Sequence, residues 1–70
     1  LKICDFTRRE VDYFRQECNF TNDEMTLFDM RADNIPLEEC AERMNLSISA
    51  IKAKSQKINN KIERVLLIDF

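Results

Sequence analysis

Apolar side chains recur along this chain at intervals of three and four residues, the spacing that puts them on one face of a helix. Val11, Phe14 and Cys18 form one such set, and Met25, Leu27, Phe28 and Met30 a less regular second. Leu37, Cys40, Ala41 and Met44 form a third, and Ile51, Ile58, Ile62, Val65 and Leu66 the longest. Strand signals are poor: β-branched residues are scattered and no alternation of apolar and polar positions persists. The pattern predicts an all-α fold, a small four-helix domain.

Local signals set the helix boundaries. Thr7-Arg8-Arg9-Glu10 and Thr21-Asn22-Asp23-Glu24 both have the capping-box form. In each, a threonine hydroxyl takes an amide one turn on while the glutamate reaches back to the cap amide. They predict helices over about 8–18 and 22–32. Pro36 is the only proline and suits the first position of a third helix over 36–44, where its missing N–H costs nothing. Ser47 is a good N-cap for a fourth helix, and nothing breaks that helix before Asp69.

Only residues 45–47 separate the third and fourth helices, in a chain with no glycine. So tight a turn needs one residue in left-handed geometry. Asparagine is the best non-glycine occupant because its side chain bonds locally, which assigns the role to Asn45. Ala41 is small, as close crossing of two helices demands, and Cys40, Met44, Leu46 and Ile51 are apolar where the crossing angle is set. This is the helix-turn-helix arrangement, with the long C-terminal helix after Ser47 as the recognition helix.

Over about residues 22–62 the chain resembles the C-terminal promoter-reading domain of bacterial sigma factors and, equally, the DNA-binding domain of LuxR-type regulators. The matching pieces are Phe28-Asp29-Met30-Arg31, Glu39-Cys40-Ala41 and Leu46-Ser47-Ile48-Ser49-Ala50-Ile51-Lys52. Those families carry an acidic-hydrophobic helix ending in Leu-Arg, a Glu-Ile-Ala-like helix and then Leu-Ser-x-x-Thr-Val-Lys. The chain is also similar to short phage and Firmicutes regulators made of little beyond this domain. Two departures stand out: Lys54 and Ser55 lie where the families keep an apolar residue, and Ala53 is shorter than the usual base-reading side chain. The resemblance divides the single domain 1–70 into an N-terminal helix (1–20), a sigma-like core (21–62) and an apolar C-terminal extension (63–70).

A recognition helix brings its N-terminal turns nearest the base edges. Ser49, Ala50, Lys52 and Ala53 are therefore the first candidate DNA contacts. Serine bonds several base edges, alanine meets a thymine methyl and lysine reaches guanine acceptors. Lys54, Gln56 and Lys57 follow on the flanks, the lysines mainly to phosphates, and Ser47 offers a helix N-terminus to a phosphate. With Lys61, four lysines stand ready to neutralise phosphates.

Charge supports this division of labour. The formal net charge is only −2. Residues 1–42 carry five Lys/Arg against eleven Asp/Glu, however, whereas residues 43–70 carry six against two. A basic C-terminal third on an acidic body suits a polyanion partner on one face. The competing class is a protein-interaction module that docks on RNA polymerase or another transcription or phage factor without reading DNA. The short Ala50 and Ala53 and the acidic N-terminal half favour that competitor.

Composition narrows the remaining options. A hydrophobic fraction of 44% beside 34% charged residues is that of a globular domain. No apolar run approaches the length of a membrane span and no signal-peptide pattern opens the chain, so a cytoplasmic setting is expected. Leu1 is not a natural start, which points to upstream residues or processing. Cys4, Cys18 and Cys40 are odd in number and lack paired spacing, so buried thiols in a reducing compartment are expected. Without histidine, a zinc site would need all three plus a carboxylate, and no metal or other cofactor is expected. The paired acids Asp23-Glu24 and Glu38-Glu39 fall at helix N-termini, where they meet the helix dipole. No nucleophile–base pairing or glycine-rich phosphate loop appears, so no enzyme is expected. Val65-Leu66-Leu67-Ile68 with Phe70 is more apolar than a last helix needs. It either covers helix one or pairs with a second copy, and the sequence leaves both open.

Overall fold

The computed structural model describes residues 2–69, of which the Asp69 side chain is left aside. Four α-helices follow a short 3-10 turn at Ile3–Asp5: α1 Arg8–Glu17, α2 Asn22–Ala32, α3 Leu37–Met44 and α4 Ile48–Asp69. No strand occurs among the described residues. The long dimension of the molecule, 35 Å, is set by α4. A 22-residue helix at 1.5 Å per residue is about 33 Å long.

Both capping boxes form. Thr7 Oγ1 accepts from the Glu10 N–H at 3.2 Å and Glu10 Oε1 accepts from the Thr7 N–H at 2.7 Å. At α2 the corresponding bonds, between Thr21 and Glu24, are 3.3 and 3.0 Å. Pro36 differs from expectation by one position. Its ψ of 152° is extended, so it is the N-cap and Leu37 takes the first helical place. The Pro36 carbonyl still accepts the Cys40 N–H at 3.0 Å, so the proline starts the helix from just outside it. Likewise Cys18 ends α1 as its C-cap.

In place of glycine, asparagine turns the chain at each inter-helix connection. Asn19, Asn34 and Asn45 have φ of 52°, 62° and 56°, all in the left-handed region. Around Asn45, the Leu46 N–H donates to the Ala41 carbonyl (2.9 Å) and the Asn45 N–H to the Glu42 carbonyl (3.2 Å). Around Asn34, the Ile35 N–H donates to Met30 and the Asn34 N–H to Arg31, both at 3.0 Å. This paired pattern is the Schellman closure, and Leu46 and Ile35 add its usual apolar contact by packing against the core.

The core lies where α4 crosses the other helices. Leu27, Phe28, Cys40, Ile51, Ile58 and Ile62 are fully buried, with Ile3, Phe14, Cys18 and Ala41 beside them. Phe20 packs against Phe28 in a tilted ring contact with centroids 4.9 Å apart, and Phe6 against Phe14 likewise at 5.0 Å. Val11, Met44, Val65 and Leu66, expected inward, pack at the core's edge, and Met25 is half-buried. Ile3 was not expected there; its 3-10 turn packs against α2. The C-terminal apolar run divides: Val65 and Leu66 pack against the core, while Leu67 and Ile68 stay 84% and 75% exposed. Phe70 lies outside the described residues.

Candidate nucleic-acid interface

Helix α4 begins as a capped end. Ser47 Oγ accepts from the Ala50 N–H at 3.2 Å and the Ser47 carbonyl accepts from the Ile51 N–H at 3.0 Å. One hydroxyl thus satisfies one of the amides that a helix start leaves unpaired. Ile51, Ile58 and Ile62 then lock one face of the helix into the core. That anchoring fixes which side chains face outward.

The outward stripe runs Ser49, Lys52, Ala53, Gln56, Lys57 and Asn60, all exposed and related by three- and four-residue steps. Five of these six were candidate contacts; Asn60 was not. Ser47 is exposed at the helix start, and Ala50 is half-buried at the stripe's margin. Among the described residues Lys52 and Lys57 have no ion-pair partner.

Lys54 and Lys61 stand apart from the stripe. They lie on the flank of α4 that meets the start of α2, where acidic side chains engage both. Lys54 Nζ lies 3.6 Å from Asp23 Oδ2, and Lys61 Nζ lies 2.5 Å from Glu24 Oε1. Lys61 also donates to the Asn19 carbonyl at 3.3 Å. The position of Lys54, which interrupts the resembled family pattern, is therefore filled by an ion pair rather than by apolar packing.

Glu24 is the buried polar residue of the described fold, 4% exposed. Burial pushes its carboxyl upward, but the Lys61 hydrogen bond, the Thr21 hydrogen bonds and the Lys61 charge outweigh burial and hold it below the ordinary carboxylate range. The same carboxylate closes the capping box of α2, so α4 and the first turn of α2 meet at Glu24, while the Lys61 ammonium also holds the Asn19 carbonyl of the preceding turn. The Thr21–Glu24 box is legible in the sequence. Its partner 37 residues away is not.

Of the three free thiols, Cys18 and Cys40 are buried. Burial pushes Cys18 up to about 11, against the lowering effect of the Lys61 charge, and burial likewise raises Cys40. A raised thiol is a poor nucleophile at neutral pH. Among the described residues no group of three or more His, Cys, Asp or Glu is placed to hold a metal ion. A concavity between α1 and α2 is lined by charged residues together with Val11 and Ala32, and the Arg8–Asp12 and Arg15–Asp29 pairs occupy four of the charged ones. No helix among the described residues is long and apolar enough to cross a membrane.

Comparison with known proteins finds no family, no curated protein and no solved structure that matches the chain.

Proposed function

We propose that this chain binds double-stranded DNA as a small helix-turn-helix regulator or sigma-like factor, laying the exposed stripe of α4 in the major groove. The observation that carries the reading is the stripe itself. Ser49, Lys52, Ala53, Gln56 and Lys57 project outward from a helix whose opposite face is locked by Ile51, Ile58 and Ile62. Small residues let the helix approach base edges, and two unpaired lysines supply attraction for phosphate. The acids of the N-terminal half work with this arrangement, because Asp23 and Glu24 take up Lys54 and Lys61 on the far flank. Affinity for a mixed-sequence duplex pool, measured at two salt concentrations, tests it: binding that weakens with salt supports the reading, and no binding at either salt rejects it.

A second reading rests on Leu67 and Ile68, which are exposed at the end of α4. In that reading the end of the helix docks on RNA polymerase or another regulatory protein, or pairs with a second copy of the chain, and DNA is not read. Loss of partner capture or of self-association in Leu67→Ser/Ile68→Ser, with duplex binding absent throughout, would favour it.

A further inference from the structure

Gln56 and Asn60 are both exposed on α4, one turn apart on the outward stripe, and their side chains are joined. Gln56 Nε2 donates to Asn60 Oδ1 at 3.1 Å. A primary amide carries two N–H donors and one carbonyl acceptor. With one N–H held by Asn60, Gln56 keeps its other N–H and its Oε1, which share one edge of the amide when Asn60 takes the N–H that points away from Oε1. This remaining set has one donor and one acceptor.

We infer that Gln56 reads an adenine in the major groove and that Asn60 is the residue that positions it. The inference rests on the DNA reading above and goes further by naming the base. Adenine presents an N6–H donor beside its N7 acceptor, so Oε1 accepts from the first while the free N–H donates to the second. The other bases fit worse. Guanine presents two acceptors, so Oε1 would face O6 with no hydrogen between them. Cytosine offers a donor alone, and thymine an acceptor next to a methyl group.

Two features of the stripe agree with this assignment. Ala53 lies one turn before Gln56, where its methyl group suits the thymine methyl of a neighbouring A·T pair. Lys52 and Lys57 flank the amide and supply charge, which positions the helix without choosing the base. A long, exposed glutamine would otherwise lose side-chain freedom on binding, and the Asn60 bond restricts that freedom beforehand.

The test is selection of bound duplexes from a random-sequence library, followed by sequencing, with the full chain and three variants whose helix content is first checked by circular dichroism. The unaltered protein should enrich adenine at one position by about tenfold, the discrimination of a bidentate amide contact. Gln56→Ala should retain DNA through the lysines and lose that preference. Asn60→Ala should reduce the preference severalfold with total binding little changed. Asn60→Asp keeps an oxygen acceptor for Gln56 and should restore the preference, a rescue that a merely structural role would not produce. DNA binding with no adenine preference, or with one that survives Gln56→Ala, overturns the base assignment and leaves the DNA reading standing. A preference untouched by Asn60→Ala overturns the positioning role. Folded proteins that retain no duplex at all overturn the DNA reading and this inference with it.

Discussion

Lys61 Nζ and Glu24 Oε1 lie 2.5 Å apart and join the middle of the longest helix to the start of the second. The ammonium also donates to the Asn19 carbonyl, so it ties α4 both to the turn before α2 and to the first turn of α2. Lys61→Met would leave Glu24 buried with its charge unpaired. Removing one partner of a buried pair costs several kcal/mol, but Lys61 is partly exposed, so the loss should be about 2 kcal/mol. In a domain this small that lowers the melting temperature by roughly 10 °C. A thermal melt unchanged by Lys61→Met would show that the contact contributes nothing.

The same pair makes stability sensitive to acid. The Glu24 carboxyl is held below its ordinary value of 4.5 in the fold, so the folded state binds this proton more weakly than the unfolded chain does. The contribution is therefore complete above about 4.5 and is lost as pH falls through the lower folded value. Denaturant unfolding from pH 6 to pH 3 should show a decline in stability, and Glu24→Gln should flatten part of it. Parallel pH profiles for the two proteins would contradict this.

Asn45 has φ 56° and ψ 45° at the turn that leads into α4. Asn45→Ala puts in left-handed geometry a residue that visits it less readily than asparagine, and should destabilise by about 1 kcal/mol. Asn45→Gly removes the steric cost and should leave stability near that of the unaltered chain. Equal melting temperatures for the alanine and glycine variants would mean that the left-handed geometry carries no cost.

Of the three free thiols, Cys18 and Cys40 are buried and raised, while Cys4 is only half-buried. At neutral pH a thiol reagent should modify Cys4 first, and the other two only when the fold opens. Fast modification of more than one thiol in the native protein would contradict that burial.

The sequence made the helices legible because their boundaries rest on short-range chemistry. The two threonine boxes, Ser47 and the asparagine before it act within four residues of the bonds they make. The burial of Ile51, Ile58 and Ile62 was equally plain, since one periodic pattern runs through all three. What stayed hidden depends on contacts across the fold. Lys54 and Lys61 read as part of one basic surface until α2 brings Asp23 and Glu24 against them. Asn60 carried no signal of its own, and its place beside Gln56 emerges from the helix register and the bond between them. Pro36 shows a smaller limit: a proline at a helix start fits either the cap or the first turn, and its ψ decides between them.

Lys52 and Lys57 together provide the most direct test of the DNA reading. With Lys54 and Lys61 engaged by acids, these two lysines should set the salt response of duplex binding, giving a slope of log K against log salt of about −2 per chain, where four free lysines would give about −4. Lys52→Ala/Lys57→Ala should keep its helix content, since both sites are exposed and alanine is the best helix former. This double variant should bind duplex DNA at least about tenfold more weakly, with a nearly flat salt response, at about 1 kcal/mol or more for each lost contact. Duplex affinity and salt slope unchanged in the folded double variant would contradict it.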